Sequence, residues 1–155
     1  YDLAVEHCCA ASKLHPEDWI LHCVRSVYLG KAGRYREAEA AALRAIELEG
    51  QWAWYPNMIL ACWEWQLGKR DLALARVRRT REPADAREHR LYYGCLACFQ
   101  AGVGDEPKTE AAIAKAVELD GSESSLAFFR RDISFDPYRG KPWFIKLVGE
   151  TLAGE

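Results

Sequence analysis

No apolar run in this chain approaches the roughly 20 residues that a helix needs to cross a bilayer, so no transmembrane helix is expected. An excess of one charge is also missing. Twenty-one basic residues stand against 23 acidic ones, a formal charge of −2, which exerts no long-range pull on nucleic acid or an anionic membrane. There is no sustained alternation of apolar and polar residues, and valine, isoleucine and threonine are sparse beside leucine and alanine. Both absences argue against a sheet and for an all-α chain. A glycine-rich phosphate loop, a Ser–His–Asp candidate and a paired-carboxylate pocket motif are lacking too. The expectation is a non-enzyme without cofactor or catalytic residues. The 155 residues make one domain's worth of chain, and a hydrophobic share of 50% marks it as globular.

Cysteine is present but patterned for packing. Cys8, Cys9, Cys23, Cys62, Cys95 and Cys98 fall inside helical runs, where buried thiols behave as small hydrophobes. Disulfide frameworks belong to small, loop-rich secreted scaffolds, so a reducing, cytoplasmic setting is expected. Cys95-x-x-Cys98 lies in mid-helix, away from the N-terminus that would activate a redox thiol. No second pair at that spacing completes a zinc site. His7, His15 and His22 near Cys8 and Cys9 are spaced too widely to converge on a metal, and His89 is alone. No metal site is expected.

What is present is a repeating pattern. Trp19 to Gly50 reads as two helical runs hinged at Lys31–Arg34, with Gly33, Tyr35, Ala38 and Ala45 at fixed offsets. Tyr1, Ala4, Ala11 and Pro16 precede Tyr35, Ala38, Ala45 and Gly50 by 34 residues throughout. Gly68 and Gly104 mark later turns, and Ala73 follows Ala38 by 35 residues. The spacing predicts a half repeat over 1–16, complete helix pairs over 17–50, 51–82 and 84–121, and a separate closing segment over 122–155. Helix starts are signalled by Pro16-Glu17-Asp18, by Pro56 in an opening turn, and by Asp105 with Pro107. Ser122 is expected to cap a short helix to about Arg131, and Pro142 to open a last one to about Leu152. Ala38, Ala42 and Ala45 keep side chains short where two helices approach, with Thr109 in the equivalent place of the third pair. Because Tyr1 falls in mid-repeat, the chain is expected to be an excerpt, or to follow a diverged helix.

This period, with glycines at the turns and small residues at the close approaches, resembles the tetratricopeptide repeat (TPR). The resemblance covers Tyr1 to Gly121, although His22 and Ser26 stand where the family has tryptophan and glycine. Asp136-Pro137-Tyr138-Arg139, followed by Pro142, Phe144 and Leu147, is similar to the segment that closes many bacterial TPR arrays. Leu126, Phe128, Phe129, Ile133, Phe135 and Trp143 would help it cover the last repeat's apolar edge. The resemblance implies a right-handed superhelix of antiparallel helix pairs: three complete repeats, a half repeat and a C-terminal cap.

It also implies that the first helix of each pair lines a concave groove. That groove would take Ile20, Cys23, Val27 and Lys31 from the first pair and Tyr55, Met58, Cys62, Trp65 and Gln66 from the second. Leu91, Gly94, Cys95, Cys98 and Ala101 follow from the third. With a single lysine, the set lacks the cations that grip acidic C-terminal tails in other TPR domains. The function expected is a protein-interaction scaffold that holds an apolar or amphipathic peptide or helix. The partner's identity and the oligomeric state are not encoded in any motif. Trp52, Trp54, Tyr55, Trp63 and Trp65 crowd one helix; Trp54 and Trp65 are the expected anchors, and Trp63 is expected to fill the space between repeats. The bland alternative is that the chain's own tail fills the groove. Two further readings stand beside these: an accessory segment of a larger bacterial enzyme, and RNA contact through the basic run from Lys69 to Arg90, which is expected to be mostly a solvated face.

Overall fold

Three sharp reversals, all of one design, organise the chain. In the computed structural model, which describes residues 1–50 and 53–149, Gly33, Gly68 and Gly104 have φ of 76°, 78° and 83°. Only glycine takes that left-handed conformation without steric cost. At each turn the glycine N–H donates to the carbonyl three residues back. The next residue donates five back: Arg34 to Leu29 at 2.9 Å, Lys69 to Glu64 at 2.8 Å and Asp105 to Gln100 at 3.0 Å. This is the Schellman pattern, which satisfies carbonyls left open at a helix end. Its threefold recurrence makes the repeat visible in backbone hydrogen bonds as well as in sequence.

Among the described residues the chain is all-helical: α1 Asp2–Leu14, α2 Trp19–Lys31, α3 Tyr35–Glu49, α4 Trp54–Gln66, α5 Arg70–Arg79, α6 Ala86–Val103, α7 Glu106–Leu119, α8 Glu123–Arg131, a 3-10 helix Ile133–Tyr138 and α9 Pro142–Val148. The expected start of the fourth helix at Gln51, the side chain of Trp52 and the expected run of the last helix to Leu152 lie outside the described residues. The chain falls into two compact units, residues 1–81 and 82–155.

In the first unit α1 packs on α2, α2 pairs with α3, α3 lies against α4, and α4 pairs with α5. The apolar face of α3 is alanine: Ala38, Ala41, Ala42 and Ala45 are buried. With nothing longer than a methyl in the way, neighbouring helices approach closely. Trp63 of α4 uses the space. Its indole lies where a Cβ on Gly30 of α2 would have to sit, and it stacks on Tyr35 with ring centroids 6.1 Å apart. Its Nε1–H donates to Ser26 Oγ at 2.9 Å, and Ser26 Oγ–H donates to the Ala38 carbonyl at 2.7 Å. Ser26 and Gly30 are thus the small polar seat of a tryptophan from the next pair.

In the second unit α6 pairs with α7, and the segment after Gly121 packs back on that pair. Thr109, at the position where the other pairs have alanine, is fully buried, and its hydroxyl donates to the Asp105 carbonyl at 2.8 Å. That bond removes the cost of hiding a polar atom. Phe129, Phe135 and Phe144 are buried with Ile113 and Ala116 of α7. Their rings interlock, with centroids 5.5 Å apart for Phe129 and Phe135 and 6.2 Å for Phe135 and Phe144. Phe128 and Ile133 stay about 40% exposed and take less part. Glu106 at the start of α7 accepts from Trp143 Nε1 at 2.8 Å and from Lys141 Nζ at 3.2 Å, which pins α9. These donors also hold the Glu106 carboxyl below its ordinary pKa, the Trp143 bond contributing most. Buried Arg130 donates to the Val148 carbonyl at 2.6 Å and pairs with Glu123. Ser122 stands at the α8 N-cap, but its side chain bonds Ser125 rather than backbone, and Asp120 accepts its N–H instead.

Candidate functional site

In the first unit α2 and α4 lie beside each other. Each carries a stripe at helical spacing. On α2, Ile20 is 50% exposed, and Val27 and Lys31 are half-buried. On α4, Tyr55, Cys62 and Trp65 are half-buried and Gln66 is exposed. The Arg70 guanidinium sits 5.2 Å from the Trp65 ring centroid. That cation–π contact fixes the ring's orientation. Trp54, expected beside Trp65 as an anchor, is half-buried and meets Tyr55 edge-on with centroids 5.3 Å apart.

Two residues assigned to the groove offer it no surface. Cys23 and Met58 are 0% exposed. Cys23 is enclosed with Leu29, Ala42 and Leu60, and burial, aided by nearby Glu49 and Asp18, pushes its thiol up to about 12. A raised pKa means that the folded form keeps its proton when the unfolded chain has lost it. This contribution to stability is fully present below the unfolded thiol's value of 9.0 and is lost as pH rises through about 12. Native protein treated with N-ethylmaleimide at neutral pH is therefore expected to leave Cys23 unlabelled, with labelling appearing in urea. Rapid native labelling of Cys23, read by peptide mass spectrometry, would show that this core opens.

In the second unit Leu91 is 39% exposed, and Cys95 and Cys98 are half-buried. Gly94 is buried, with Phe128 of α8 as the neighbour a Cβ there would meet at 3.7 Å. Cys98 and Ala101 pack on the aromatic cluster that includes the closing segment. Here the chain's own tail covers part of the α6 stripe.

Two of the four histidines serve helix starts. His22 Nε2–H donates to the Pro16 carbonyl at 3.0 Å, and His89 Nε2–H to the Pro83 carbonyl at 2.8 Å. Asp18 and Asp85 cap the same two helices, accepting from the N–H groups of Ile20 and Arg87. The signal is a spacing, Pro-x-Asp-x-x-x-His, that occurs at Pro16–His22 and again at Pro83–His89. Of the two, only Pro16-Glu17-Asp18 stands out in sequence as a start signal; Pro83 reads as a chain break, and neither proline points to its histidine. Among the described residues no three His, Cys, Asp or Glu side chains converge on a metal position, and the six cysteines are thiols.

The basic run divides, since Arg87 and Arg90 belong to the second unit, and much of it is tied down. Lys69 pairs with Glu39 at 2.6 Å, Arg76 with Glu64 at 2.7 Å, Arg87 with Asp85 at 2.6 Å and Arg90 with Asp120 at 3.1 Å. Among the described residues Arg78, Arg79 and Arg81 have no carboxylate partner. None of the described helices is long and apolar enough to cross a membrane. No family model, no curated protein and no solved structure matches this chain.

Proposed function

We propose that the helix pairs are TPR-type repeats and that the protein is a binding scaffold rather than an enzyme, its α2–α4 face holding an apolar or amphipathic segment of a protein partner. Its thiols suit a reducing, cytoplasmic setting. One observation carries the reading. Two adjacent first helices leave Ile20, Val27, Tyr55, Cys62 and Trp65 incompletely buried, with Lys31 and Gln66 beside them. Aromatic anchors of this kind dominate interface energetics, and Arg70 already holds Trp65 in place, which lowers the ordering cost of binding. The double variant Tyr55→Ala, Trp65→Ala is expected to cut capture of the co-purifying partner by tenfold or more, at about 2 kcal/mol for a hot-spot residue. The helical CD signal should be retained. Undiminished capture by a folded double variant would remove this face from the binding site.

A further inference from the structure

We infer a second docking site in the first unit, a groove lined from α3, α4 and α5, with Asn57 and Thr80 among its walls, that takes an acidic, leucine-bearing segment of a protein partner. It lies apart from the residues assigned to the α2–α4 face and stands whether or not that face binds anything. The groove encloses about 280 Å³, just below the roughly 300–1,000 Å³ of small-molecule pockets. That size suits a projecting side chain better than a whole cofactor. Its apolar part is Ile46 of α3 with Leu72 and Ala75 of α5. Leu72 is 48% exposed, and Leu43, one turn before Ile46, is 44% exposed. Two large aliphatic residues left open on one side of a unit make a surface that water covers poorly.

The charge around the groove says what covers it. Arg76 and Arg79 both line it. Arg76 is held by Glu64 on two nitrogens and by Asn57 on a third, so its charge is already answered. Arg79, one turn on, has no carboxylate among the described residues, and neither do Arg78 and Arg81 beside it. The chain as a whole carries −2, so this unanswered positive charge is local. A guanidinium at an apolar groove matches a carboxylate next to an aliphatic side chain: the aliphatic group drops between Ile46 and Leu72, and the carboxylate takes the Arg79 fork. A phosphodiester backbone could meet the arginines but would gain nothing from Ile46, Leu72 and Ala75. The geometry therefore favours an acidic protein segment over RNA.

The probe is a short fluorescein-labelled peptide alternating leucine and glutamate, titrated with the full chain and read by anisotropy. Arg79→Glu is expected to weaken binding about tenfold or more, in line with losing a charged hydrogen-bonding partner. Arg78→Glu, the same charge change one residue away and outside the groove lining, should change it by less than about threefold, as for a screened surface charge. Replacing the peptide's leucines by serine should abolish binding. Far-UV CD checks each variant, with Arg79→Gln in reserve if Arg79→Glu does not fold. No binding of the peptide to the wild-type chain overturns the inference. So do equal losses for Arg78→Glu and Arg79→Glu, retained binding of the serine peptide, or oligouridine binding as tightly.

Discussion

Trp63→Ala is expected to destabilise the first unit by about 3–5 kcal/mol, the range for removing a large buried aromatic. Three losses coincide at this one side chain. Its ring area returns to water. The indole leaves a space bounded by the Gly30 backbone and the Tyr35 ring, which no neighbouring side chain is placed to fill. Ser26 Oγ, fully buried, loses the Nε1–H that it accepts and keeps only its bond to the Ala38 carbonyl. Urea unfolding followed by CD reads the loss. Comparison variants separate its parts. Trp63→Phe keeps most of the apolar area and drops the hydrogen bond, so about 1–3 kcal/mol should go. Ser26→Ala leaves the indole N–H buried without its partner and should fall in the same range. If Trp63→Ala cost no more than Ser26→Ala, the tryptophan would not be the element that joins α4 to α2.

Much of this was legible in the sequence, for a definable reason. A glycine needed at positive φ and an alanine needed at a close helix approach leave marks at single positions, and those marks recur with the repeat. Gly33, Gly68, Gly104, Ala38 and Ala45 could therefore be read directly, and so could Trp63 as a filler between pairs. What recurs weakly or once could not. Ser26 departs from the repeat and Gly30 carries no signal in it, yet the two form the seat that Trp63 needs. The face of α4 was harder still. Pro56 through Ala61, then Trp63 and Glu64, are all buried, and a helix buried nearly all round has no polar side to identify the apolar one. Met58 is assigned to a groove because the resemblance puts first-helix residues there, and a resemblance of helices does not distinguish a side chain facing a partner from one enclosed by its own chain. Cys23 has the same history. The 3-10 helix Ile133–Tyr138 was unforeseen because its single turns have no 3.6-residue period.

The Glu64–Arg76 pair was likewise invisible, since its residues lie 12 apart across a turn. Its removal is the second large effect. Arg76→Ala is expected to cost about 3–5 kcal/mol, because it leaves the Glu64 carboxylate buried without a partner. The Glu64 side chain is only 2% exposed, against 22% for Arg76, and both its oxygens accept from that one guanidinium, at 2.7 and 2.9 Å. Arg76 also donates to Asn57 Oδ1 at 2.7 Å, while Asn57 Nδ2 donates to the Ala53 carbonyl at 2.7 Å. The network therefore ties the end of α5 to the start of α4, and its loss should loosen both helices together. Melting by CD, with hydrogen exchange over residues 54–66 and 70–79, tests both halves of that statement. The double variant Glu64→Leu, Arg76→Met separates a penalty for orphaned charge from a need for the pair itself. Apolar side chains of similar volume leave nothing unpaired and often match or exceed a buried ion pair in stability, so the double variant should be more stable than Arg76→Ala. A double variant as unstable as the single one would mean that what holds α4 to α5 is the shape of the Arg76 fork around Glu64 and Asn57, not the neutralisation of a buried carboxylate.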